Sequence, residues 1–132
     1  MKKITPFIAF ILLSLCFSFD EPYYYYSQYK PVFMLRSEME KNIKIQSPRA
    51  IRETGKIYLK DNYIFINEKY RGIHVLDNSD PENPTPKAFI NIDGCIDMAI
   101  KENVLYADNA VDLIALRFNP EISEIEVTKR IK

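Results

Sequence analysis

From Gly55 onward, short apolar runs alternate with polar, turn-forming clusters at roughly ten-residue spacing. That pattern belongs to an antiparallel sheet protein, whose strands are short and bounded by Gly, Pro, Asn, Asp and Ser. The runs are Ile57–Lys60, Tyr63–Asn67, Ile73–Asp77, Lys87–Ile92, Cys95–Ile100, Val104–Asp108, Val111–Phe118 and Ile125–Ile131, giving eight candidate strands. Upstream the period changes. Ser37-Glu38-Met39-Glu40 has the spacing of a capping box, and Met39 and Ile43 stand four apart on one helical face. A short helix is expected over about 37–45, lying on the main domain within a connector of residues 37–54 and stopped by Pro48.

The second half of the sheet region resembles the first. IYLKDNYIFINEKYRGIHVLD starts at Ile57 and MAIKENVLYADNAVDLIALR at Met98. Lys60-Asp61-Asn62-Tyr63-Ile64-Phe65 aligns with Lys101-Glu102-Asn103-Val104-Leu105-Tyr106 at an offset of 41. Further along, Val75-Leu76 matches Ala115-Leu116 at 40 and Pro81 matches Pro120 at 39, as single-residue loop deletions would produce. A period near 40 residues with four strands per unit is that of a propeller blade. One such unit cannot cover both of its faces, and stacking units does. The expected fold is therefore all-β: two four-stranded antiparallel propeller-like blades, residues 55–94 and 95–132, with a short N-terminal helix. Chance likeness between two β segments is the competing explanation.

Residues 72–84 read GIHVLDNSDPENP, an apolar strand running into a dense turn. Asp77 and Asp80 can bond their own backbone there, while Pro81 and Pro84 stiffen the path to the next strand. Asp77, Asn78, Asp80, Glu82 and Asn83 also offer oxygens to a calcium ion, but the spacing fails the EF-hand pattern and its glycine is missing. The stretch resembles the unit of the LVIVD-repeat proteins, an exported, propeller-like bacterial family whose apolar strand ends in Asp before an Asp-Pro-x-x-Pro turn. Ile73-His74-Val75-Leu76-Asp77 supplies that strand and Asp80-Pro81-Glu82-Asn83-Pro84 the turn; YKPVFM from Tyr29 and GKIYLKDNYIFINE from Gly55 also look like family blocks, so the likeness spans about residues 29–118. The second copy departs from it, with Arg117 in the place of Asp77 and the second turn proline missing. A looser corner is expected there. Two repeats are fewer than a closed ring needs, so the resemblance implies a truncated or split member. It also implies apolar edges, such as Tyr63–Asn67, open to pairing with a protein partner, a further repeat chain or a second copy.

The first nineteen residues, MKKITPFIAFILLSLCFSF, have the layout of a secretory signal: a basic start, a short apolar core from Phe7 to Phe17, then Asp20-Glu21. The core is too short for an ordinary spanning helix. Leu13-Ser14-Leu15-Cys16 resembles a bacterial lipobox with Leu15 where a small residue is usual, so Cys16 is a candidate lipidation site beside ordinary cleavage near Ser18. Residues 20–36 form a Tyr-rich linker, where Tyr23–Tyr26 either stack on a partner or serve as a spacer. Charge is balanced at 18 basic and 18 acidic residues, and loss of Lys2 and Lys3 leaves 16 against 18. No basic field is available for nucleic acid or an anionic membrane surface; membrane attachment would come only through the lipid or an uncleaved signal.

Candidate chemistry is sparse. One histidine, His74, cannot build a histidine-rich metal site or a triad with a spare base, and its alternation with Ile73 and Val75 puts it on the opposite strand face. Gly55, Gly72 and Gly94 lie too far apart for a phosphate loop. Cys95, in an apolar stretch, reads as a small buried hydrophobe rather than a reactive thiol. Asp93, Asp97, Asp108 and Asp112 are either strand-end residues or carboxylates paired for acid–base work. The sequence accordingly points to a non-catalytic exported binding or scaffold module of the cell envelope, in the periplasm or anchored to the outer membrane, with no cofactor and no metal. The alternatives are a fragment of an exported propeller-type hydrolase or lyase, and a non-functional gene remnant.

Overall fold

The computed structural model describes residues 30–132. The expected signal, Cys16 and most of the Tyr-rich linker lie outside the described residues. Phe33–Lys132 form one compact unit. It is mostly β, with a single short helix, and is built from two antiparallel sheets.

Helix α1 covers Arg36–Lys41 and strand β1 follows at Lys44–Gln46. The helix is shorter than the sequence pattern predicts and starts one residue earlier. Leu35, not Ser37, is the N-cap residue, and its N–H donates to Glu38 Oε2 over 3.3 Å. Past Asn42 the chain leaves the helix because Ile45 gains more from the sheet: it pairs with Ile90 and packs on the core. A six-residue helix holds little propensity of its own against such burial.

The remaining strands are β2 (Thr54–Lys60), β3 (Tyr63–Glu68), β4 (Gly72–Asp77), β5 (Thr85–Asn91), β6 (Met98–Lys101), β7 (Val104–Asn109), β8 (Asp112–Phe118) and β9 (Ile125–Ile131). The first sheet has the order β1-β5-β4-β3-β2 and the second β6-β7-β8-β9. The first sheet thus has five strands where four are expected, β1 having joined beyond β5. β3, which carries Tyr63–Asn67, is an interior strand held by β2 and β4 rather than an open edge; the edges are β1 and β2 in one sheet, β6 and β9 in the other.

Local devices recur between the sheets. The first loop residue after β2, Asp61, has φ 52°, and Glu102 after β6 has φ 55°. The short side chain of Asp61 tolerates that left-handed region, and Glu102 adopts it in the matching turn without that advantage. The β4–β5 register slips between Val75 and Leu76, and the β8–β9 register between Ala115 and Leu116. Gly72 opens β4 at φ 140°, with a hypothetical Cβ only 2.1 Å from Ile90 O, so only glycine fits there.

The core lies between the two sheets. Phe65, Ile73, Val75, Ala88 and Ile90 of the first meet Met98, Ile100, Leu105, Ala107, Ile114, Leu116 and Phe118 of the second. The Phe65 and Phe118 rings are 5.9 Å apart at a tilt of 42°. Asn67 is fully buried here too, and Gly55 of β2 runs so close that a Cβ on it would stand 2.3 Å from Asn67 Oδ1.

Candidate functional site

Three polar constellations are built on this frame. The first forms on the outer face of the first sheet. Strand alternation sends His74 away from the core, and there its Nε2 lies 2.5 Å from Glu68 Oε2. Both side chains are buried. Arg49, from the connector, sits with its guanidinium carbon 3.4 Å from the Phe89 ring centroid and with Nη2 3.6 Å from Glu68. Arg71 approaches the same carboxylate at 3.6 Å, and Phe89 meets the His74 ring edge-on at 4.8 Å. A carboxylate shut away from water needs such partners. Glu68 is the residue that sequence reasoning misses. The only available signal is an acidic residue closing a strand two positions before the Tyr70-Arg71-Gly72 turn.

The second constellation gathers where α1 meets the second sheet. Asp112 is buried and accepts from Arg36 Nη1 at 2.8 Å and Nη2 at 3.2 Å, and from Arg130 Nη1 at 2.7 Å. Arg130 also donates to Asn109 Oδ1 at 2.8 Å. Nearby, Asn42 donates to Asp93 Oδ2 at 2.9 Å, and Asn109 donates to the Asp93 carbonyl at 2.8 Å. The hydrogen bonds from Arg36, then those from Arg130, hold the Asp112 carboxyl down at about 2. A carboxyl depressed in the folded state contributes stability above its unfolded value near 3.8, and that contribution is lost as pH falls toward 2. Asp112→Asn is therefore expected to lower the thermal midpoint at pH 7 and to change it little at pH 2. Calorimetry across that range checks this; an equal drop at both ends would mean that shape, not charge, holds the site.

The third is a shallow cleft of about 230 Å3 on the outer face of the second sheet, lined by Lys56, Asp97, Asp108, Tyr106, Ala99 and Leu113, among others. Lys56 Nζ lies 2.7 Å from Asp97 Oδ2, and Asp108 Oδ2 accepts from the Asp97 N–H at 2.9 Å. Asp97 Oδ1 accepts from Met98 N–H at 2.7 Å. The Lys56 ammonium, followed by the Met98 N–H, keeps the Asp97 carboxyl below its usual range, so it holds no proton to donate at neutral pH.

The four aspartates singled out from the sequence thus separate into two places: Asp97 with Asp108, Asp93 with Asp112. Each has its own donors, and no two of the carboxyls share a proton by direct contact. In the Asp77–Pro84 turn, Asp77 Oδ1 accepts from Ser79 N–H at 2.9 Å and from its hydroxyl at 2.6 Å, which lowers the Asp77 carboxyl. Asp80 accepts from Glu82 N–H and Asn83 Nδ2, both at 3.1 Å. Those oxygens serve the turn itself. The second corner, expected to be loose, is held by Asn119, whose Oδ1 accepts from Ser123 and Glu124 N–H at 2.8 and 3.1 Å. An amide there does the work of the missing Asp and Pro.

Cys95 is fully buried, and burial, aided by the nearby Asp108 charge, pushes its thiol up to about 12. Its sulfur accepts from Asn67 Nδ2 at 3.2 Å. Such a thiol is protonated at neutral pH and a poor nucleophile. Among the described residues, no three His, Cys, Asp or Glu side chains converge as a metal site, and no helix is long and apolar enough to cross a membrane. No protein-family model matches the chain, and neither a curated protein nor a solved structure does.

Proposed function

We propose that the protein is a non-catalytic, exported binding or scaffold module built from two LVIVD-like, propeller-type repeats. The observation that carries the reading is that the charged side chains of its polar clusters hold one another. Glu68 lies against His74, Asp112 against Arg36 and Arg130, and Asp97 against Lys56, so each of these carboxylates is engaged by a basic partner. The repeat part of the reading draws on the sequence offset, on the like φ values at Asp61 and Glu102, and on the paired register slips. Export draws on the basic-then-apolar start, and Cys16 supplies the lipid-anchored version.

The enzyme-fragment alternative stands on the Asp97–Asp108 cleft. Both readings are tested in cells that produce the chain. The expected outcome is a processed protein in the envelope fraction, released to the soluble periplasm by Cys16→Ser, whose Asp97→Asn/Asp108→Asn variant restores a deletion strain as well as the native chain does. Unprocessed protein in the cytoplasm would end the export reading. A folded double variant that fails to restore the strain would move the assignment to the enzyme fragment.

A further inference from the structure

The two sheets do not meet as mirror images. Residues of one sheet and their counterparts in the other lie on opposite sides of the core. Phe65, Ile73, Val75 and Ile90 face the core from the first sheet. Their counterparts are Tyr106, Leu113 and Ala115 by the sequence offset and Ile131 by strand register. Registers agree with that match, since Ile73 pairs with Ile90 and Leu113 with Ile131. Yet Tyr106, Leu113 and Ile131 stand on the outer face of the second sheet, exposed.

The converse holds for the other set. Met98, Ile100, Leu105, Ala107 and Leu116 bring the second sheet to the core. They correspond to Ile57, Leu59, Ile64, Ile66 and Leu76 on the outer face of the first. There too the registers agree: Ile57 pairs with Ile66 and Leu59 with Ile64, as Met98 pairs with Ala107 and Ile100 with Leu105. Met98 and Ile100 are each 6% exposed, whereas Ile57 is 63% and Leu59 66% exposed.

At these positions each outer face therefore matches the face that is buried in the other sheet, while beside them on the first sheet His74 and Phe89, under Arg49, take the places of Ile114 and Arg130. The internal interface joins face X of one sheet to face Y of the next, and among the described residues a second X is exposed at Tyr106, Leu113 and Ile131 and a second Y at Ile57 and Leu59. Charge follows the same rule. Lys56 and Asp97 hold corresponding positions and form the ion pair that bridges the sheets. Repeating the step would set Asp97 of one copy beside Lys56 of the next.

We infer that the outer face of the second sheet docks on the outer face of the first sheet of another copy of this chain, head to tail, reproducing the internal sheet–sheet interface. Such heterologous contacts close into a ring when the rotation allows. Propellers of roughly four to eight blades correspond to roughly two to four copies. The inference rests on the repeat reading above and adds the partner and the faces.

The full chain, purified in mild detergent, is examined by sedimentation alongside Leu59→Glu and Leu113→Glu, one charge on each exposed face. The native chain should sediment as a closed oligomer, and each variant alone should show at least about a tenfold weaker association. Mixed together, the two variants should form a one-to-one dimer and stop there, because one intact X–Y contact remains. Circular dichroism confirms that both variants fold. A monomeric native chain, or a Leu113→Glu variant that assembles as the native chain does, overturns the docking. Carbodiimide coupling of Lys56 to Asp97 within one chain, read by mass spectrometry, separates the two failures. With the intrachain link present and no assembly, the paired-sheet reading stands and only the docking falls; with the link absent, both fall.

Discussion

Truncating Phe65 to alanine is expected to lower the unfolding free energy by about 3–5 kcal/mol. Phe65 has no exposed surface and belongs to the core between the sheets, tilted against Phe118. Its neighbours belong to regular strands, so they cannot collapse into the space left by the ring, and the cavity adds to the lost transfer energy. Phe65→Leu, which keeps most of the volume, should lose less than about 1.5 kcal/mol. Tyr106 supplies the control. It aligns with Phe65 at the sequence offset of 41 but is exposed on the outer face of the second sheet, and Tyr106→Ala measured on dissociated protein should cost under about 1 kcal/mol. Urea titrations of the three variants decide the matter. If Phe65→Ala and Tyr106→Ala fall together, the two sheets do not bury the faces described above.

The second large effect is expected at Glu68. Removing its side chain in Glu68→Ala leaves the buried His74 ring nitrogen without its 2.5 Å partner and Arg49 without its counter-ion. Breaking one side of a buried charge network is expected to destabilise by about 3 kcal/mol. Replacing both partners by apolar residues of like volume is different in kind, since nothing polar is then left unpaired. Glu68→Met/His74→Leu should therefore be more stable than Glu68→Ala, with Arg49 and Arg71 free to turn toward water. A double variant less stable than the single one would show that the network adds net stability beyond satisfying its own members.

Legibility followed the reach of the interactions. β3, β4, β7, β8 and β9 fall within one residue of their expected bounds because alternation and turn residues are local signals. β6 starts three residues late, at Met98, because Cys95 is buried in the linking segment and Asp97 bonds to the strand's first N–H. β1 was illegible: it is three residues long, and its only reason to be a strand is Phe89–Asn91, far along the chain. The same holds for the polar clusters. His74 was placed on the correct face by alternation alone, whereas Glu68 and Arg49 reach it only through the hairpin register and the path of the connector. Asp112 was legible as a strand-end aspartate; that α1 would deliver Arg36 to it was not.

The close passage of Gly55 over Asn67 bears on which sequences this fold can accept. Asn67 is locked: its amide donates to Gly72 O, Cys95 O and Cys95 Sγ, and among the described residues its Oδ1 finds no donor. With the amide held by these bonds, any side chain at position 55 would have to displace it. A residue larger than glycine at 55 therefore demands a smaller one at 67, and libraries varying position 55 alone should return almost nothing but glycine.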